Sequence, residues 1–274
     1  MAIRLVENDS ALVRIAVERW TAQGCMPCVD AVAEEAPVAL EYNGISHAVM
    51  LATPADLEDF ALGFSLSEGI LQNPSELYDC EIVESCDGWR VAMTIASERF
   101  HGLKERRRNL TGRTGCGLCG AETLAQAIRR PAPTRGHVVF SSESLHAGMR
   151  AMAARQRLQR DTGATHAAAW MDADGAIRLV REDVGRHNAL DKLIGAMASA
   201  RMSFTDGAAL ITSRASYEMV QKAATMGIGL LAAISAPTGL AVRLAEESNV
   251  TLVGFVRERG HVVYSGSQRL AQAA

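Results

Sequence analysis

Short apolar runs and helical stripes alternate along the second half of the chain. Apolar runs bounded by turn residues are typical of buried strands, and apolar residues spaced by three and four are typical of helices. The pattern predicts strands at residues 137–140, 165–172, 176–181, 208–212, 228–235, 250–256 and 261–265. It predicts helices at residues 144–160, 216–226 and 238–248, and one more that carries the stripe Leu190, Leu193, Ile194 and Met197. Such alternation indicates a sheet with parallel pairs, covered by helices on both faces.

The first half of the chain has mixed helix and strand character. Strands are predicted at residues 48–52 and 89–95, and residues 121–130 have helical composition. Thr53-Pro54 followed by acidic residues predicts the start of a helix that runs to about Leu71. Pro131 and Pro133 end the helical pattern of residues 121–130. We therefore predict an α/β protein of two domains: a smaller N-terminal α+β domain over residues 1–132 and a C-terminal α/β domain over residues 133–274.

Composition narrows the class of protein. The 274 residues include 28 Lys and Arg against 31 Asp and Glu, a net charge of −3, and 48% are hydrophobic. These values are typical of a soluble globular protein and argue against nucleic-acid binding. The longest apolar stretch, residues 226–242, is broken by glycines and a proline and is shorter than the ~20 residues of a spanning helix. The N-terminus has no secretory signal pattern. We therefore expect a cytoplasmic protein without a membrane segment.

Two of the six cysteines lie in a glycine-rich loop, TGRTGCGLCG at residues 111–120. The preceding segment, residues 99–113, carries six Lys or Arg against one acid. Neighbouring cations lower the pKa of a thiol, and the thiolate is the nucleophile. Cys116 and Cys119 could therefore ligate a metal, exchange disulfides or carry sulfur as a persulfide.

Two other interpretations of the cysteine loop are weak. Residues 115–120 match the G-x-G-x-x-G pattern, but a charged run precedes them instead of the strand that a dinucleotide fingerprint requires. Cys25 and Cys28 form a second Cys-x-x-Cys pair, which could complete a four-thiolate zinc site. The gap between the pairs is far longer than that of a zinc ribbon, so we predict no permanent metal and assign Cys25 and Cys28 no role.

Several longer motifs resemble one family. Together with the cysteine loop, the motifs are AEEAPVALEYNG, MLATPADLEDFALGFSLSEGI, THAAAW, REDVGRHNALDKLIG, SRASYEMVQKAATMGI and SAPTGLAVRLAEE. In one collinear series over residues 25–270, they are similar to the FdhD family of sulfur carriers required for active formate dehydrogenase. The resemblance implies that the protein takes sulfur from a cysteine desulfurase and passes it to the molybdenum bis(molybdopterin guanine dinucleotide) cofactor of formate dehydrogenase.

The resemblance also implies roles for particular residues. Cys116 would carry the persulfide, with Cys119 as its partner, and the C-terminal domain would have a cytidine-deaminase-like fold with a mixed sheet. The segment that contacts the guanine dinucleotide would comprise Phe255, Val256, Arg257, Glu258, Arg259 and Gly260. The partners would be the desulfurase, the catalytic subunit of formate dehydrogenase and a second copy of the chain. Three alternatives stay open: a cofactor-binding chaperone without sulfur chemistry, a zinc-stabilised interaction module and a thiol-disulfide oxidoreductase.

Polar residues between apolar elements are further candidates. Asp183, Arg186, His187 and Asn188 either line the cofactor pocket or cap the helix that follows. His166 is either a core histidine or a wall of that pocket. Zinc deaminases have a glutamate two residues after the ligand histidine and two later cysteines, whereas position 168 is alanine and no cysteine follows Cys119. The residues therefore exclude deamination.

Overall fold

A computed structural model describes residues 5–108, 130–258 and 260–271. The fold is mixed α/β, and the described residues form three sheets. Within these ranges, no helix is both long and apolar enough to cross a membrane.

The largest sheet has six strands in the order β13-β12-β11-β10-β8-β9. Its strands are β8 (His166–Asp172), β9 (Ile177–Asp183), β10 (Gly207–Ile211), β11 (Leu230–Ala233), β12 (Thr251–Arg257) and β13 (Gly260–Ser265). Strands β10, β11 and β12 are parallel, and the remaining pairs are antiparallel. The predicted alternation and the mixed sheet are thus confirmed.

Helices cover both faces of this sheet, as the apolar pattern predicts. They are α3 (Ser142–Arg155), α4 (Arg157–Thr162), α5 (Arg186–Ser199), α6 (Tyr217–Thr225) and α7 (Gly239–Glu247). Helices α5, α6 and α7 share one apolar cluster with one face of the sheet, and α3 shares a second cluster with the other face. Side chains on both faces of the inner strands are therefore buried.

A four-stranded sheet in the order β5-β4-β7-β6 belongs to the first half of the chain. Its strands are β4 (Ala36–Tyr42), β5 (Ile45–Ala52), β6 (Leu77–Ser85) and β7 (Gly88–Ile95). The helices of this half are α1 (Leu57–Ser67), between β5 and β6, and α2 (Ser97–Arg108), after β7. Helix α1 packs between this sheet and α5. A Cβ on Gly63 would collide with the backbone of α5, and one on Gly195 would collide with the backbone of α1. Glycine at both positions lets the two helices cross in close contact.

The N-terminal residues form a separate antiparallel sheet that the sequence pattern did not predict. It consists of β1 (Leu5–Asp9), β2 (Leu12–Thr21) and β3 (Gly24–Ala33). Much of it faces solvent; the side chain of Trp20 is 73% exposed. Because few of its apolar positions enter a core, the alternation that marks a half-buried strand is blurred.

One predicted strand, residues 137–140, is wrong. Only Phe140 forms an isolated bridge, with Leu270. The carbonyl of Gly136 instead accepts a 2.8 Å hydrogen bond from the Arg269 guanidinium, and the Thr134 N–H donates to the Ser248 carbonyl. A side chain and a loop therefore satisfy backbone groups that a strand ladder would otherwise use.

The single helix predicted at residues 144–160 is two helices, because the chain leaves helical geometry at Gln156, where ψ is 89°. The carboxylate of Glu182 accepts hydrogen bonds from the N–H groups of Leu158 and Gln159 at 2.9 and 2.8 Å and so caps the second helix. The helix predicted to reach Leu71 ends at Ser67, because Gly69 turns the chain with a φ of 63°.

The main apolar cluster is continuous from the four-stranded sheet, through α1 and α5, to the six-stranded sheet. The two halves of the chain therefore share buried side chains. Residues 109–129 lie outside the described part, and the boundary at residues 132 and 133 stays a prediction.

Candidate functional site

The carboxyl-terminal edge of the three parallel strands gathers most of the polar residues that the sequence singled out. Strands β10, β11 and β12 end there, and their antiparallel neighbour β8 begins there, because Ile211 pairs with Ala168. Strand β9 ends beside it, and α5, α6 and α7 all begin at this edge. Ligands of open α/β sheets bind outside this edge, where helix N-termini carry partial positive charge.

Two strand–turn–helix units lie side by side at this edge. Residues 212–216 link β10 to α6, and residues 234–238 link β11 to α7. The turns are joined by hydrogen bonds from the Ala215 N–H to the Ala236 carbonyl and from the Thr238 N–H to the Ala215 carbonyl. The Thr238 hydroxyl also caps α7. This pairing places the N-termini of α6 and α7 next to each other.

Asp183 and Asn188 are structural. The Asp183 carboxylate is fully buried, 2.6 Å from the Lys192 ammonium, which is also fully buried. It accepts hydrogen bonds from the N–H groups of Thr53 and Gly185 and from the Asn188 side-chain amide, at 3.1, 2.7 and 3.0 Å. These contacts hold in place the turn that begins α5; the N-cap residue there is Gly185, and neither side chain caps the helix.

Arg186 and His187 follow directly and extend the carboxyl edge. The Nε atom of Arg186 is buried and has no hydrogen-bond partner among the described residues. His187 Nε2 is 3.9 Å from the Glu218 carboxylate of α6. Burial, followed by the charges of Arg186 and Lys222, lowers the pKa of His187 to about 4. His187 is therefore neutral near pH 7, and Arg186 supplies the positive charge.

His166 lies at the same edge, at the start of β8, and pairs in register with Asp183. The residue is half-buried. Burial and then the charge of Arg186 lower the pKa of His166. Of the two interpretations, this position at the edge favours a wall of the site over a core histidine.

The predicted dinucleotide segment begins at the end of β12 and borders this edge. The Phe255 N–H donates to the Ser235 carbonyl at 3.2 Å, and the Phe255 backbone has a φ of 53°, a strained conformation for an aromatic residue. Val256 is fully buried in the core, whereas Arg257 and Glu258 are exposed. Gly260 pairs with Arg257 across the β12–β13 hairpin. Arg259 lies outside the described residues.

The two Cys-x-x-Cys pairs stand differently in the structure. Cys116 and Cys119 lie outside the described residues. Cys25 and Cys28 lie three positions apart on β3, so their side chains point to opposite faces and their Cα atoms are roughly 10 Å apart. A disulfide needs Cα atoms within about 7 Å. The pair therefore offers neither a disulfide nor two ligands on one side of a metal, which argues against the four-thiolate zinc site.

Sequence reasoning missed the two turns as site elements. Ser213, Arg214 and Ser216 in one turn, and Ser235 and Thr238 in the other, occupy corresponding places after a buried strand and before a helix. The sequence does carry a signal for these turns. Each has two hydroxyl residues spaced by three, Ser213 and Ser216 or Ser235 and Thr238, and the second of each pair immediately precedes a helix.

Comparisons with known proteins agree with this architecture. A sequence model of the FdhD/NarQ family matches residues 33–271. A protein from Cupriavidus necator named sulfur carrier protein FdhD is 61% identical over 259 residues, covering 94% of this chain and 90% of the relative. The protein of the same name from Bordetella petrii is 55% identical over 263 residues, covering 96% of this chain and 93% of the relative.

One solved structure has the same fold. It was assigned as a formate dehydrogenase accessory protein from Desulfotalea psychrophila, and it matches with a TM-score of 0.74. The match is 23% identical in sequence and covers 95% of this chain and 100% of the other. At that identity the likeness establishes the fold alone.

Proposed function

Because the chain belongs to the FdhD/NarQ family, we propose that it is a sulfur carrier in the maturation of formate dehydrogenase. It takes sulfur from a cysteine desulfurase in the cytoplasm and passes it to the molybdenum bis(molybdopterin guanine dinucleotide) cofactor. The cofactor is cargo, delivered to the catalytic subunit of formate dehydrogenase. The protein acts as a homodimer, and its C-terminal domain has a cytidine-deaminase-like fold.

Sulfur loading takes place at Cys116. Its thiolate attacks the outer sulfur of the desulfurase persulfide, so that a new S–S bond forms and the donor S–S bond breaks. The donor cysteine leaves as a thiolate, and no net oxidation occurs. Release as hydrosulfide requires two electrons, which Cys119 supplies by forming a disulfide with Cys116. A cellular dithiol then reduces that disulfide.

The cofactor binds at the carboxyl edge of the six-stranded sheet. The observation that carries this assignment is the buried Arg186 Nε, which lacks a hydrogen-bond acceptor among the described residues at an edge where three helices begin. An anionic dinucleotide offers phosphate oxygens, which accept hydrogen bonds from such N–H groups. The exposed side chains of Arg214 and Arg257 lie at the ends of β10 and β12 and add positive charge to the same edge.

Intact-mass spectrometry after incubation with a cysteine desulfurase and cysteine tests the sulfur chemistry. We expect the wild-type protein to gain one sulfur, ~32 Da, that a reductant removes. Cys116→Ala should gain none, whereas Cys25→Ala, which removes an exposed thiol on β3, should load normally. Cys119→Ala should load but fail to release hydrosulfide.

The alternative is a cofactor-binding chaperone without sulfur chemistry. It predicts no adduct on any variant and full formate dehydrogenase activity with Cys116→Ala. An adduct that persists in Cys116→Ala would instead move the persulfide to another cysteine and refute the assignment of Cys116.

A further inference from the structure

A cleft of about 420 Å³ opens at the opposite, amino-terminal edge of the six-stranded sheet. Thr134, Arg135 and His137 line one part of it, and Asn249, Gln268 and Arg269 line the other. Asn249 precedes β12 and Arg257 ends it, so the length of that strand places the cleft roughly 20 Å from the dinucleotide segment. This cleft is therefore separate from the cofactor site.

The lining of the cleft is basic. Arg135 and His137 are exposed, two positions apart, and neither forms an ion pair or a hydrogen bond with a described residue. Among the described residues that line the cleft, none carries a carboxylate. In the described part of the chain, the cleft thus presents positive charge that no carboxylate of its lining compensates.

Arg269 supplies the buried part of this charge. The residue is 5% exposed. Its Nε donates to the Gly136 carbonyl at 2.8 Å, and one terminal nitrogen donates to the Asn249 carbonyl at 2.9 Å and to the Thr251 hydroxyl at 3.2 Å. The other terminal nitrogen makes one long contact, 3.4 Å, with the Thr134 hydroxyl.

All four acceptors of Arg269 are neutral. A guanidinium has five N–H groups, so one N–H on the second terminal nitrogen lacks an acceptor in the described part of the chain. Buried charges in proteins are normally paired, because removing an ion from water without a counter-ion is costly. An anion in the cleft would supply that counter-ion.

The backbone beside Arg269 leaves space for the guanidinium. A Cβ on Gly229 would lie 3.1 Å from Arg269 Nε, so a larger residue there would displace the group. Gly229 and the carbonyl of Gly136 thereby hold the guanidinium at the wall of the cleft. The positive charge is fixed in position before any ligand arrives.

We propose that this cleft binds a phosphate group. Arg269 holds it from the buried wall of the cleft, and Arg135 and His137 hold it at the exposed rim. A phosphate carries up to two negative charges and several acceptor oxygens, which match the surplus charge and the free N–H. The phosphate comes from free inorganic phosphate or from a phosphate monoester of a larger molecule. This binding site goes beyond the proposed sulfur transfer and does not depend on it.

Calorimetric titration of the full-length protein with sodium phosphate, at constant ionic strength and in a buffer without oxyanions, tests the proposal. We expect saturable binding of one phosphate per chain. The double variant Arg135→Gln/His137→Asn changes only exposed side chains and should raise the Kd at least tenfold. Arg150→Gln, which removes an exposed charge on α3, is the matched control and should bind as the wild type does.

Three results would overturn the proposal: no saturable heat, an unchanged Kd in the double variant, or binding that Arg186→Gln abolishes and the double variant retains. The last result would place the phosphate at the cofactor edge. A second titration with glycerol phosphate distinguishes the two sources, because a site for a larger molecule binds the monoester and a site for the free anion does not. Circular dichroism of each variant verifies folding.

Discussion

The buried ion pair between Asp183 and Lys192 gives the sharpest stability prediction. Both side chains are fully buried, and Lys192 Nζ also donates to the Thr53 carbonyl at 2.9 Å. Asp183→Asn keeps the shape of the side chain and removes its charge. The substitution leaves an ammonium group in the interior with only a carbonyl and an amide oxygen as partners.

The magnitude follows from the burial. Removing one member of a buried ion pair costs about 3–5 kcal/mol, because the remaining charge has neither water nor a counter-ion. Chains of this size lose about 2–4 °C of Tm per kcal/mol, so we expect Asp183→Asn to lower the Tm by roughly 6–20 °C.

Urea unfolding followed by circular dichroism measures the free energy of unfolding directly. Asp161→Asn is the matched control: its ion pair with Arg160 is exposed, and such pairs contribute about 0–1 kcal/mol. Adding Lys192→Met to Asp183→Asn should recover part of the loss, because no charge is then left unpaired. A loss below about 1 kcal/mol for Asp183→Asn alone would refute the reasoning.

Three further predictions concern helix packing, pH and nucleotide binding. Gly195→Ala should lower the free energy of unfolding by about 1–3 kcal/mol or more in a thermal melt, because the new Cβ would collide with the α1 backbone. Gly102→Ala on α2 is the control and should be neutral or stabilising, because a Cβ there has nothing within 4 Å. Equal effects of the two substitutions would contradict the close crossing of α1 and α5. Burial lowers the pKa of His187 to about 4 in the folded protein, whereas the unfolded chain has the ordinary histidine value of about 6.5. Between these two values the unfolded chain binds a proton that the folded protein does not, so the free energy of unfolding should fall as the pH drops from about 6.5 to 4. His187→Gln should reduce that fall, and an unchanged pH profile would count against the burial of the ring. Arg257→Ala should weaken guanosine diphosphate binding in a calorimetric titration, and an unchanged affinity would remove Arg257 from the site.

Much of the fold follows from local sequence pattern. Six strands of the second half are found near their predicted positions, because each contains a short apolar run, and the four inner strands are largely buried on both faces. Residues 137–140 have the same apolar character, yet their neighbours are held by Arg269, which lies more than a hundred residues away in sequence. Contacts of that range leave no periodic signal, so the pattern could not exclude a strand.

The candidate site divides in the same way. Arg257 could be placed at the rim of the sheet from the apolar run before it, and the structure places it there. The separate roles of neighbouring residues could not be read from the sequence, because REDVGRHNA does not reveal that Asp183 and Asn188 contact the first half of the chain while Arg186 and His187 face the helix ends. Burial decides between these roles, and burial depends on the first half of the chain.

That dependence joins the two halves at the site. Thr53 belongs to the link between β5 and α1, yet its N–H donates to the Asp183 carboxylate and its hydroxyl accepts from the Val184 N–H, at the turn that begins α5. The crossing of α1 and α5 at Gly63 and Gly195 holds the same helix along its length. The first turn of α5 carries Arg186, so the position of this guanidinium depends on contacts from the N-terminal half. A substitution at Thr53 should therefore alter guanosine diphosphate binding at the proposed cofactor site, because it shifts Arg186 although Thr53 itself is not a residue of that site.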